Sequence, residues 1–342
     1  MRVPVVVLSL ALLAAACGDD DDDAASADKD LTGKIVISGS STVEPISSAV
    51  AELFKEEAPD VELVVDGPGT GDGFKRFCAG ETDISDASRP IKAEEADACK
   101  AKDIEFIELK VAFDGITVMT SPENEAVSCL NFEDLYALAG PESVGFKKWS
   151  DAQALATELG STTKMPDVDL VMTAPGEESG TYDSFIEIAL EGIAKDRVAA
   201  GKLTEDKVKT TRNDYQSSAN DNVIMQGIEG DTGSFGWVGF AFAAGEADRI
   251  RTLEIDGGEG CVAPSTETIA DGSYPIARSL YIYVNKAKAE SSEVLSSFVD
   301  FYLGDGIDEV GPAGYVDLPE DQLAETVATW KARTAGSAVS AE

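Results

Sequence analysis

Three short segments combine glycine with hydroxyl side chains in a way suited to holding an anion: Gly39-Ser40-Ser41-Thr42, Gly69-Thr70-Gly71 and Glu178-Ser179-Gly180-Thr181. Each falls between a run of strand type and a run of helix type. A helix start offers unpaired N–H donors and about half a positive charge. Hydroxyls add further donors, and glycine lets the backbone come close to a ligand. Helix capping explains any one such turn by itself. Three of them at strand-to-helix switch points, where α/β sheets place ligands, point to an anion cage that needs little net positive charge. A fourth segment, Asp83-Ile84-Ser85-Asp86-Ala87-Ser88-Arg89-Pro90, adds a guanidinium fork suited to bidentate oxyanion contact. Ser88 there donates or accepts, and Asp86 is an acceptor. An acceptor beside an anion site repels a fully ionised ligand and favours one that retains a proton. A surface Asp–Arg pair is the plainer alternative for this segment.

Other chemistries fit poorly. Gly67-x-Gly69-x-Gly71-x-Gly73 is neither GxxxxGK[ST] nor GxGxxG, which argues against a nucleotide loop. The chain has no histidine, which excludes Ser-His-Asp and Cys-His catalysis and a His-ligated zinc. Carboxylate runs such as Glu56-Glu57 and Glu94-Glu95 read as solvated faces, and nothing singles out a glycosidase pair. With 27 Lys+Arg against 64 Asp+Glu the net charge is −37, so nucleic acid is excluded as a partner. Any anion must therefore bind by short-range contacts against an opposing global field, which is screened beyond about 8 Å at physiological ionic strength.

The elements that must position these turns alternate along the chain. Lys34–Ser38 reads as a strand. The helix after the first turn carries Ile46, Val50, Leu53 and Phe54 on one face, with Ser41 or Thr42 as its N-cap. Val61–Val65 is the next strand, followed by a helix bearing Phe74, Phe77 and Cys78. Residues 104–109 and 111–120 read as two strands, 168–173 as another, and the helix after Thr181 buries Tyr182, Phe185 and Ile186. Strand 280–284 and helix 294–303 follow near the end. This grammar predicts α/β architecture with mixed, mostly parallel sheets, and 342 residues favour two domains with separate cores.

Residues 1–16, MRVPVVVLSLALLAAA, read as a secretory signal peptide. Leu13-Ala14-Ala15-Ala16-Cys17-Gly18 resembles a bacterial lipobox, making Cys17 the lipidation site and residues 17–30, with five consecutive aspartates, an extended acidic tether. Cys78, Cys99, Cys129 and Cys261 remain, an even number that suggests two disulfides in an exported protein. Metal ligation by these cysteines is a weak alternative, since no CxxC is present.

The order lipobox, GSSTVEPI (39–46), GPGTGDGFKRFCAGETDISDASRPI (67–91), ESGTYDSF (178–185), ANDNVIMQGI (219–228), GCVAPS (260–265) and GPAGYVDLP (311–319) resembles the PstS family, the phosphate-binding proteins of the high-affinity phosphate ABC transporter. The resemblance runs from about residue 33 to near the C-terminus. It implies a two-lobed periplasmic-binding-protein fold, hinged by two crossovers, that closes on inorganic phosphate and delivers it to a membrane permease. It implies a monomer without enzymatic activity, cofactor or metal, attached to the membrane by its lipid. Residues 31–112 and 270–342 would form one lobe and 113–269 the other, favouring Cys78–Cys99 and Cys129–Cys261 over the other pairings. Ser41, Thr42, Thr70, Ser179, Gly180 and Thr181 match the phosphate-binding turns.

Two positions depart from the enterobacterial form. Ser88 stands where that form has an aspartate, and Pro175 stands where it has an arginine. The arginine role then falls to Arg89 and the hydroxyl role to Ser88. Asp86 and Glu178 are the candidates for accepting the ligand's proton, with Asn220 and Arg212 as weaker second-lobe candidates. Sulfate, molybdate or arsenate binding, and a phosphatase on the same scaffold, are the competing readings.

Overall fold

The computed structural model describes residues 31–337; the segments read from the sequence as signal peptide and acidic tether, with Cys17, lie outside the described residues. β1 (Gly33–Gly39), β2 (Val61–Asp66) and β3 (Ile84–Ala87) pair in parallel, with β1 in the middle. α1 (Glu44–Glu57), α2 (Thr70–Cys78) and α3 (Ala93–Lys100) complete this end of the molecule. β4 (Phe106–Thr120) is fifteen residues long, and only Lys110 in it is not buried. A strand covered on both faces reads as an unbroken apolar run, which is why the sequence shows no clean alternation there. The two runs expected at 104–109 and 111–120 are this single strand. The register slips opposite the junction: Leu280 faces Ala112 while Tyr281 faces Lys110. A bulge there kinks the pair without ending it.

The second lobe holds β5 (Cys129–Asn131), α4 (Phe132–Ala139), α5 (Gln153–Leu159) and β6 (Val171–Ala174). After these come α6 (Gly180–Phe185), a π-helical turn over Ile186–Leu190, and α7 (Glu191–Ala199). β7 (Gln216–Ser217), β8 (Ser234–Gly239), β9 (Arg251–Thr252), β10 (Glu254–Asp256) and β11 (Cys261–Val262) follow, and the chain returns through β12 (Ala277–Asn285). The main sheet runs β2-β1-β3-β12-β4-β8-β6-β7, with β9 also on β4; β11-β10-β5 forms a small separate sheet.

β4 belongs to both lobes. Through Gly115 its partner is β12, and from Ile116 its partner is β8. The first lobe packs on both sides of its sheet, around Ile35, Phe54, Phe298 and Trp330 on one and Phe74, Phe77 and Tyr283 on the other. The second lobe centres on Trp149, Phe185 and Trp237. Its core takes in Ile269, Tyr274 and Ile276 before the return crossing, and also Val316 and Leu318. Val316 exchanges both backbone hydrogen bonds with Phe113, so the late chain touches β4 close to where it changes lobes.

Cys78–Cys99 joins α2 to the end of α3, and Cys129–Cys261 joins β5 to β11 across 132 residues of chain. Among the described residues no helix is long and apolar enough to cross a membrane.

Candidate functional site

The three turns are built differently. At the first, Val43 occupies the cap position of α1 without a side-chain cap, so neither Ser41 nor Thr42 caps the helix as the sequence suggested. The Thr42 backbone N–H donates to Ser40 Oγ, and its hydroxyl, not used as a cap, is available for other partners. At the second, Gly69 has a left-handed φ of +106° that a side chain would strain, and its N–H donates to the Gly39 carbonyl at 2.7 Å. Four residues on, a Cβ at Gly73 would lie 2.5 Å from Gly39 Cα, so glycine is what lets α2 sit against β1. The two turns are thereby locked together. Thr70 Oγ1 lies 3.1 Å from Ser88 Oγ and accepts the Ser88 N–H, which draws the second turn onto the end of β3. At the third turn Ser179 does cap, accepting the Thr181 N–H.

The first and third turns meet across the lobes. A Cβ at Gly180 would stand 3.8 Å from the Ser41 carbonyl oxygen. Thr42 Oγ1 and Ser184 Oγ are 3.3 Å apart and both buried. Between them reaches Arg278, from the start of β12. Its Nη2 donates to Ser184 Oγ at 2.6 Å and to Thr42 Oγ1 at 3.1 Å. Its Nε lies 3.3 Å from Asp114 on β4, and its Nη1 lies 2.6 Å from Glu187 on the π-helical turn. One guanidinium, 14% exposed, therefore touches residues 42, 114, 184 and 187. Nothing local marks it: Ala277-Arg278-Ser279 carries no glycine turn and no recognisable spacing.

Beside this junction opens a cleft of about 580 Å³. The first lobe lines it with Thr70, Ser88 and Arg89, the second with Glu187, Lys195 and Lys209, and β12 with Arg278. Arg89 is therefore at the cleft, but both its Nη atoms are held by Glu95 at 2.7 and 2.8 Å, within the same lobe and over the Phe74 ring.

The two carboxylates considered as proton acceptors occupy contrasting places. Asp86 is fully buried: its Oδ1 accepts from Ser47 Oγ at 3.0 Å, and Ser47 in turn contacts Tyr302. Its Oδ2 has no hydrogen-bond partner among the described residues. Burial pushes this carboxyl up to about 7; the Ser47 hydrogen bond opposes that, and the charges of Glu44 and Asp66 add to it. Its backbone carbonyl meanwhile accepts the Ser40 N–H, so Asp86 supports the first turn through the main chain. Glu178 is exposed beside the third turn, against Gly176.

The model of the PBP superfamily domain matches residues 24–305. The protein SphX of Synechocystis is 36% identical over 300 residues, 87% of this chain and 82% of the relative. The phosphate-binding protein PstS of Staphylococcus haemolyticus is 32% identical over 293 residues, 85% of this chain and 83% of that one. A crystal structure from Planctomyces limnophilus, described as a possible phosphate binding protein, superposes with a TM-score of 0.78 at 34% identity, covering 89% of this chain and 99% of its own.

The chain belongs to the PstS family. Arg278, at the lobe junction, is the candidate that reading the sequence missed. Of the residues expected from the sequence, Thr70, Ser88 and Arg89 line the cleft; Ser41, Thr42, Asp86, Glu178, Ser179, Gly180 and Thr181 lie outside its lining, and so do Arg212 and Asn220. Arg212 is buried against Asp214 and the Phe146 carbonyl, and Asn220 caps the helix Asp221–Glu229. Cys129, Glu254 and Cys261 cluster at metal-ligand spacing, but the two cysteines are joined as a disulfide and are not thiolate ligands.

Proposed function

We propose that this PstS-family chain captures inorganic phosphate where its two lobes meet and hands it to an ABC permease outside the cytoplasm. The observation carrying this reading is that Arg278 bridges Thr42 of the first turn and Ser184 of the helix that follows the third, while Gly180 of the third turn comes close to the Ser41 carbonyl, so hydroxyls of both lobes and one guanidinium meet at one point. Ser41, Thr42, Ser179, Gly180 and Thr181 supply the donors at that point, and Thr70 and Ser88 supply hydroxyls from the adjoining wall of the cleft. Arg278 takes the charge-bearing role at the lobe junction, with Arg89 farther out along the same cleft. Recognition by directional donors in a largely dehydrated site is binding without bond-making. A phosphate-bound form closed by the same cross-lobe contacts gives the permease a shape to read.

Selection of phosphate over sulfate requires an acceptor for the ligand's remaining proton; of the two carboxylates considered from the sequence, Glu178 is exposed next to the third turn and Asp86 is buried behind the first. Anchoring through lipidated Cys17, on the acidic tether, would keep the protein at the outer face of the membrane.

Calorimetric titration with phosphate and with sulfate tests the reading. Saturable binding of phosphate with no heat from sulfate is expected, and equal binding of the two would reject it. Repeating the titration with Glu178→Gln and Asp86→Asn identifies the acceptor as the variant that gains sulfate binding. Cys17→Ser should move the protein from the membrane to the soluble fraction with unchanged phosphate affinity.

A further inference from the structure

Arg278 carries two carboxylates of different character. Asp114, on the strand shared by the two lobes, is 7% exposed and holds Nε. Glu187 is 38% exposed, lines the cleft, and holds Nη1 at 2.6 Å. Together they more than neutralise the guanidinium. An anion reaching the guanidinium meets two carboxylates already paired with it, one of them also 3.9 Å from Lys209, so Nη1 is not free for a ligand while Glu187 holds it. The buried carboxylate cannot leave without stranding a charge. The exposed one can.

Two features make Glu187 the mobile partner. It sits on the π-helical turn Ile186–Leu190, where the regular α-helical hydrogen-bond ladder between α6 and α7 is interrupted; such turns are frequent at functional sites. A second cation is also within reach, since Lys209 Nζ lies 3.9 Å from Glu187 Oε1 and lines the same cleft.

Building on the phosphate-binding reading above, we propose that Glu187 is an internal competitor for Arg278. Its carboxylate holds the guanidinium in its binding orientation, and phosphate must displace it toward Lys209 to take Nη1. Affinity is thereby set below what the donors alone would provide, and weakly charged oxyanions unable to displace a carboxylate are disfavoured.

The test is phosphate titration of the purified wild-type protein, Glu187→Gln and Arg278→Gln, each checked by thermal melting and circular dichroism. Glu187→Gln is expected to bind phosphate roughly 3- to 10-fold more tightly, the range for removing one partly exposed competing charge. Arg278→Gln is expected to bind far more weakly. Unchanged affinity in Glu187→Gln would overturn the competitor role. Weaker binding would overturn it too, by showing that Glu187 contacts the ligand favourably. Failure of the wild-type protein to bind phosphate would instead remove the functional reading, and unchanged affinity in Arg278→Gln would remove the guanidinium from the site. Glu187→Asp, a carboxylate on a shorter arm, should fall between the wild type and Glu187→Gln.

Discussion

The segment from Asp83 to Pro90 and the strand β12 make opposite contributions to the lobe junction. The first is dense in candidate chemistry, yet its two charged candidates are engaged elsewhere. Asp86 turns inward under α1 toward Ser47 and Tyr302, and Arg89 is held by Glu95 six residues further on. The second carries no motif, yet its Arg278 reaches hydroxyls of both lobes. A charged group close in sequence to an opposite charge is readily neutralised by it. A charged group at the start of a strand where the chain crosses between lobes meets whatever the fold brings from elsewhere.

Arg278→Ala tests this contrast most directly. It removes a nearly buried donor facing two hydroxyls, so phosphate affinity should fall by about 2–4 kcal/mol, roughly 30- to 1,000-fold. An affinity within 3-fold of wild type would return the guanidinium role to Arg89.

Asp86→Asn asks whether the inward carboxyl is a structural charge. With its carboxyl at about 7 against an ordinary value of 3.8, the folded protein holds this proton more tightly than the unfolded chain does. Stability therefore falls as pH rises from about 4 to about 7, and the loss is complete above that. The asparagine variant lacks this loss. Its stability relative to wild type should rise by about 4 kcal/mol across that window and then stay level. Urea unfolding at pH 4, 5.5, 7 and 8 measures it, and parallel curves would sink the assignment.

Thr42→Val keeps the shape but removes the hydroxyl that meets Arg278, and about 1–2 kcal/mol of phosphate affinity should go with it. The smallest effect belongs to Arg89→Ala. Its side chain is 31% exposed and paired within its own lobe, so a loss of no more than about 1 kcal/mol is expected. A loss as large as that of Arg278→Ala would erase the distinction between the two arginines.

Much of the fold is legible locally. The helix face of Ile46, Val50 and Phe54 is buried as its spacing predicts, while Leu53 lies at the margin of the core. The glycine turns are legible because a left-handed φ at Gly69 and the close approach of Gly73 to Gly39 demand glycine whatever the surroundings. Residues 104–120 were harder to read. A strand buried on both faces has no two-residue alternation, and a bulge near Lys110 looks like a gap between two strands.

The sequence by itself determined the α/β grammar, the hydroxyl-rich turns and the family, because helix periodicity, turn chemistry and motif order are properties of neighbouring residues. Only the tertiary structure decided which charges face the anion. Arg278, Asp114, Glu187 and Thr42 come from four distant stretches of chain, and their meeting depends on β4 and β12 passing between the lobes. The same long-range packing turned Thr42 away from capping and sank Asp86 beneath α1. Spacing along the chain carries no record of those contacts, since each is fixed by the sheet order and not by the residues beside it.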